Sequence, residues 1–192
     1  MADTMTPEQR HMTMSHIHSK DTKPEIVIRQ TLFTLGYRYR LNVKNLPGSP
    51  DLVLHKYRTA IFVNGCFWHG HKGCSKYVMP KSNVGFWTEK IYRNQERDLV
   101  NIQRLESLAW NVITVWECEL SKSRIDETIV RIVNELTANK EKWEQYQRKR
   151  KLDRVYAREQ ARRHREILAQ VEAELKEQFH IPVRIRKESR IY

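Results

Sequence analysis

Cysteine is scarce in this chain, at three in 192 residues, and no apolar stretch approaches the ~20 residues that a helix needs to span a bilayer. So few thiols cannot build a disulfide framework. With no signal-peptide core in the opening MADTMTPEQR, they are expected to be free or metal-bound in a cytoplasmic protein without a membrane partner. Acidic residues are also in deficit: 23 Asp and Glu stand against 35 Lys and Arg, giving a net charge of +12 and a pI near 9.8. Such a balance favours an acidic polymer as partner. No repeat of about 20 to 50 residues and no low-complexity tract is present, which excludes solenoid architectures. A chain of 192 residues suits one well-buried domain with an appendage.

Residues 1–20 are polar and rich in Met and His without a clear period, and they read as a flexible N-terminal arm. Thr22 and Glu25 are spaced as a capping box, ahead of Ile28, Leu32 and Leu35 at helical spacing and Gly36 at a helix stop. A helix over 23–35 follows. Residues 37–43 alternate as a half-buried strand, 46–50 form a turn cluster, and short strands follow at 52–54 and 59–63, placing Asp51 and Val63 near each other. Residues 86–110 read as an amphipathic helix with Ile91, Leu99 or Val100, Ile102, Leu105 and Leu108 on its buried stripe. A strand at 111–116 and a helix at 125–136 complete an α/β unit over 21–138, a mixed sheet flanked by helices. Residues 139–192 hold 16 Lys and Arg against 9 Asp and Glu, more than half of the net charge, over sparse apolar positions. One long, weakly anchored basic helix is expected there, with a strand-like fragment after 181.

The stretch 63–74, VNGCFWHGHKGC, mixes residues that a plain core has little use for. Cys66, His71 and Cys74 lie within nine residues, and Cys118 arrives behind the strand at 111–116. Four such ligands suit a closed tetrahedral structural zinc site, which would staple the loop to that strand and leave no open position for catalysis. Pro50-Asp51 at the start of a strand resembles the first half of the PD-(D/E)xK nuclease signature, where a carboxylate can hold Mg2+. The second half is missing, because Val63-Asn64-Gly65 stands where an acid-x-Lys would be. His69 has an unperturbed pKa near ~6.5 and can take a proton at neutral pH.

Several runs agree in order and spacing: Leu46-Pro47-Gly48-x-Pro50-Asp51, Gly65-Cys66-Phe67-Trp68-His69, Phe86-Trp87-x-Glu89-Lys90-Ile91 and Val115-Trp116-Glu117-Cys118. Together they closely resemble the very-short-patch-repair (Vsr) DNA mismatch endonucleases over residues 9–120. The resemblance implies a restriction-endonuclease-like core carrying a zinc site. It implies an Mg2+-dependent enzyme that nicks one strand 5′ of the T in a T:G mismatch left by 5-methylcytosine deamination. Position by position, it gives Asp51 and the main-chain carbonyl of Val63 to Mg2+, and His69 to water activation. Glu25 would order metal-bound water, and Cys66, His71, Cys74 and Cys118 would hold zinc. Phe67, Trp68 and Trp87, with Met14, would wedge into the base stack. It further implies a bacterial, cytoplasmic monomer acting at the nucleoid, linked in function to a 5-methylcytosine methyltransferase and repair proteins.

This chain departs from the pattern at two points. Family members carry Thr-His where it has Val63-Asn64, so Asn64 can hydrogen-bond at the catalytic position but cannot titrate near neutrality. One extra residue also precedes Cys74. On the residues alone, other readings stand beside these. Glu25 also serves its capping box, and the three aromatics also suit a core. A sequence-specific nuclease on matched duplexes, or a non-catalytic zinc-stapled DNA-binding module, would also use this composition.

Overall fold

A computed structural model of the protein describes Gln9, Met12 and residues 20–179. Most of the expected arm, including Met14, and the expected fragment with Val183 and Ile185 lie outside the described residues.

Helix α1 (Lys23–Thr34) begins where the capping box places it: Thr22 Oγ1 accepts the Glu25 N–H at 3.5 Å, and Glu25 Oε1 accepts the Thr22 N–H at 3.4 Å. It ends in a Schellman turn, with Gly36 at φ +87°, its N–H on Phe33 O and the Tyr37 N–H on Leu32 O at 2.9 Å. Ile28 and Leu32 are fully buried, as their spacing predicts. Leu35 is instead 53% exposed, because it sits at the C-cap beyond the last turn that faces the core.

The sheet has four strands in the order β1 (Arg40–Leu41), β2 (Leu52–Leu54), β3 (Thr59–Asn64), β4 (Asn111–Trp116). The first two pairings are antiparallel. The last is parallel, bridged by helix α2 (Val84–Ser107) as a parallel pair requires. The strand expected over 37–43 shrinks to two residues, since Asn42 turns left-handed at φ +45° and Tyr37 and Tyr39 pack against the core instead. Alternation along β2 divides the core. Leu52 and Leu54 join Ile28, Leu32, Ile61, Ile113, Val115, Ile132 and Leu136 on one face. Val53 joins Ala60, Leu105 and Trp110 on the other. This is the mixed sheet between helices that the element order predicts.

Helix α2 corrects its expected stripe. Ile91 and Leu105 are buried, but Leu99 and Leu108 are 57% and 51% exposed and Val100 also faces outward. Residues 91, 98 and 105 share one face, and the middle member is Asp98. The inward face is therefore polar at its centre, where it borders a cleft rather than the core.

The helices expected at 125–136 and from 139 onward form one element, α3 (Ile125–Phe179), in a stretch without glycine or proline. Asn139 does not break it. That residue is buried, and its Nδ2 donates to Thr59 Oγ1 at 3.2 Å. The chain divides into two compact units between Trp143 and Glu144, so the first turns of α3 belong to the sheet-bearing unit and the remainder to the second. Among the described residues no helix is long and apolar enough to cross a membrane.

Candidate active site and metal centre

The turn that leaves β3 at Asn64 folds back on itself. The His71 N–H reaches Cys66 O at 2.9 Å, and the Cys74 N–H reaches His71 O at 3.3 Å. Because Asn64 pairs with Trp116, the short 3-10 turn Glu117–Leu120 after β4 delivers Cys118 beside this loop. The ligand atoms of Cys66, His71, Cys74 and Cys118 lie within 4.8 Å of one another. His71 Nδ1 is 3.5 Å from Cys66 Sγ and 3.4 Å from Cys118 Sγ, and its ring stacks on Trp116 with centroids 4.1 Å apart. A tetrahedron with metal–sulfur bonds of ~2.3 Å has edges near ~3.8 Å, so this cluster could hold a metal ion of that kind. Its electrostatics agree. Burial pushes the Cys66 thiol up to about 12 and raises Cys118, while the backbone N–H of Lys76 lowers Cys74. Two of the thiols would need a cation beside them to ionise at neutral pH.

The same loop also borders a cleft of about 920 Å³, lined by Glu25, Asp51, Val63, Asn64, Trp68, His69 and Asp98 among others. Asp51 Oδ2 accepts the Val63 N–H at 2.8 Å, which fixes the carboxylate against the end of β3. Burial lifts its pKa from 3.8 to about 6. Glu25 adds to the rise, while the Val63 hydrogen bond and the charges of Arg29 and His69 oppose it. Glu25 is itself well occupied: Thr22 Oγ1 donates to Oε1 at 2.8 Å, and Arg29 Nη2 donates to Oε2 at 2.7 Å. Arg29 also pairs with Asp21. The capping reading of Glu25 is thus realised, with the residue still at the cleft wall.

His69 shares the cleft with Asp51, and α2 holds it there. Its Nδ1 lies 2.5 Å from Asp98 Oδ2, so among the described residues Nε2 is the ring nitrogen without that partner. Gln95 Nε2 donates to the carbonyls of His69 at 3.2 Å and Gly70 at 3.1 Å, and Asn94 Nδ2 donates to Trp68 O at 2.9 Å. Gly70 permits this approach at φ +63°. A Cβ there would collide with Gln95 Nε2 and lie 2.8 Å from Ile91 Cγ2.

Asp98, Asn94 and Gln95 escaped the sequence reading because they look like the solvated face of a charged helix, 25 or more residues from the loop they hold. The one available signal was the gap in the apolar stripe between Ile91 and Leu105.

Phe67, Trp68 and Trp87 form one cluster, with Phe67 centroids 5.2 Å from each tryptophan and the two tryptophans 5.9 Å apart. They are not equivalent. Trp87 is only 9% exposed, whereas Phe86, which the sequence reading passed over as a site residue, packs on it at 5.2 Å and is 57% exposed. Lys90 Nζ caps the group, 5.4 Å from the Trp68 centroid and 5.6 Å from those of Phe86 and Trp87. Met14 lies outside the described residues.

The family described as DNA mismatch endonuclease Vsr matches residues 2–76. The type II nicking enzyme V.NmeAIP of Neisseria meningitidis serogroup A is 50% identical over 137 residues, covering 71% of this chain and 97% of the relative. The type II nicking enzyme V.XorIIP of Xanthomonas oryzae is 46% identical, over 63% of this chain and 88% of its own. The DNA mismatch endonuclease Vsr of Escherichia coli is 42% identical over 120 residues, covering 62% of this chain and 76% of its own length. A cleft that joins Asp51 to a carboxylate-held histidine, next to a Cys/His cluster, is thus carried by a chain that belongs to the Vsr family of DNA mismatch endonucleases.

Proposed function

We propose that this chain nicks one strand of duplex DNA 5′ of the T in T:G mismatches left by deamination of 5-methylcytosine. Family membership supports the endonuclease reading, and the pairing of Asp51 with the His69–Asp98 couple across one cleft carries it. Asp51, with the main chain of Val63 beside it, would hold Mg2+, a hard cation whose chemistry there is polarisation of the scissile phosphate. His69 takes a proton from the attacking water at Nε2, while Asp98 fixes the ring through Nδ1 and stabilises the imidazolium that results. Glu25 orients water at the cleft wall while it caps α1. Asn64 donates a hydrogen bond to phosphate and carries no proton across the neutral range. The sheet, with Asp51 just ahead of its strand β2, is assigned to the restriction-endonuclease-like class, with His69 in place of the missing lysine.

Cys66, His71, Cys74 and Cys118 would hold Zn2+, which contributes folding energy and fixes the loop bearing Phe67, Trp68 and His69. Phe67 and Trp68, backed by Trp87 and joined by Met14, enter the base stack. Separating stacked bases costs a few kcal/mol and least at a mispair, so deformability selects the mismatch. A bacterial, cytoplasmic monomer working after a 5-methylcytosine methyltransferase fits this chemistry.

Nicking of T:G and T:A duplexes of otherwise identical sequence, with and without added Mg2+, tests the reading. Cleavage of the mismatch alone, and only with the metal, is expected. Equal cutting of both would assign the chain to matched-duplex nicking, and no cutting of either would leave a binding module.

A further inference from the structure

Between residues 148 and 165, in the second unit, α3 carries nine basic residues and two acidic ones. At about 100° per residue, Arg150, Lys151, Arg154, Arg158, Arg162 and Arg165 fall within ~120° of the helix circumference. Asp153 and Glu159 fall outside it. All six cations are exposed. Some charges of the helix are paired: Glu159 holds Arg162 at 2.9 Å and Arg163 at 3.4 Å, Arg162 also lies 3.7 Å from Glu166, and Lys176 meets Glu172 at 3.0 Å. Along the rest of the stripe that pattern is reversed. Arg150, Arg154, Arg158 and Arg162 follow one another at i,i+4, a spacing at which like charges destabilise a helix. Among the described residues, Lys151, Arg154, Arg158 and Arg165 lie in no ion pair. From Glu166 to Phe179, the end of the helix, the sign changes, with Glu166, Glu172, Glu174 and Glu177 against Lys176 alone, so within α3 the basic stretch is delimited.

We propose that this stripe is a second duplex-DNA contact surface, separate from the cleft, which grips the phosphate backbone without reading sequence. A row of cations about 23 Å long matches a polyanion whose charges recur along a line, and a bound duplex would relieve the i,i+4 repulsion. The apolar residues facing away from it, Leu152, Tyr156 and Ile167, are interrupted by Glu159 and Arg163, which is a poor face for insertion into a lipid surface.

The test is binding of the full chain to a matched 25-base-pair duplex across a NaCl series. Replacing Arg150, Lys151, Arg154, Arg158 and Arg165 by Gln should reduce the slope of log K against log salt by about 4.5, since each phosphate contact contributes about 0.9. Replacing the off-stripe Arg148, Lys149 and Arg163 should leave it nearly unchanged, and Lys at Arg150, Arg154, Arg158 and Arg165 should preserve the wild-type slope. Nicking at low salt with saturating duplex should match wild type in both Gln variants. An unchanged slope in the stripe variant would overturn the proposal, as would an equal fall per charge removed in the two sets. Stripe-dependent capture by phosphatidylserine vesicles with an unchanged DNA slope would overturn it in favour of a membrane surface.

Discussion

Neutralising Asp51 should make the Mg2+-free protein more stable at neutral pH, although it removes the carboxylate proposed to hold Mg2+. Burial lifts this carboxyl from 3.8 to about 6, so the folded protein binds its proton more tightly than the unfolded chain does. The stability contributed by neutral Asp51 is therefore fully present below 3.8, fades as pH rises through about 6, and is absent above it. The gap of about two pH units corresponds to ~3 kcal/mol at 1.36 kcal/mol per unit, an upper figure for the cost of the buried charge at pH 7.5. Asp51→Asn keeps an oxygen to accept the Val63 N–H and carries no charge, so it should recover much of that amount. At 2–4 °C per kcal/mol, the expected gain is roughly 5 °C in Tm. Thermal unfolding followed by circular dichroism, without Mg2+ and without chelator so that a metal on the Cys/His cluster is not stripped, checks this at pH 4.5 and 7.5. The gain over wild type should be large at the higher pH and small at the lower. Millimolar Mg2+ should then raise the wild-type Tm and leave the variant unmoved. A variant that is equally destabilised at both pH values, or equal Mg2+ shifts in the two proteins, would refute the reasoning.

Asp98→Asn should lower single-turnover nicking at least tenfold and shift its pH profile while DNA affinity holds, because the carboxylate acts through His69 and not on the duplex. Cys118→Ser should release the bound metal, detectable by elemental analysis, and lower Tm sharply, since it opens the link between the β3 loop and β4. Gly70→Ala should reduce activity and Tm together by forcing Gln95 away from the loop, and Gln95→Ala in the same background should recover part of the Tm loss. Leu136→Ala, at a fully buried core position, should cost 2–5 kcal/mol in denaturant unfolding with nicking at low temperature preserved.

The parts of the site that were legible in the sequence are those whose partners are close along the chain or chemically distinctive. The Thr22–Glu25 box, the Pro50-Asp51 turn and the cysteines with His71 declare themselves by spacing, because caps and ligand loops are local constructions. Asp98 does not. A single acid in a helix rich in Arg, Lys and Glu resembles a solvent-facing residue, and only the fold brings it to His69. The same reason explains the misplaced stripe of α2: hydrophobicity alone favoured Leu99 and Val100, whereas the inward face turns polar where it borders the cleft. Likewise Trp87 and Phe86 are neighbours of similar chemistry, and nothing local says which is buried.

The central claim is that Asp51 and His69 act together in one cleft on one phosphate. Single-turnover nicking of a T:G duplex by wild type, Asp51→Ala and His69→Ala, with binding measured alongside, tests it most directly. Each variant should bind the duplex within a few-fold of wild type and lose nicking a hundredfold or more. Retention of near-wild-type nicking by either one would contradict it.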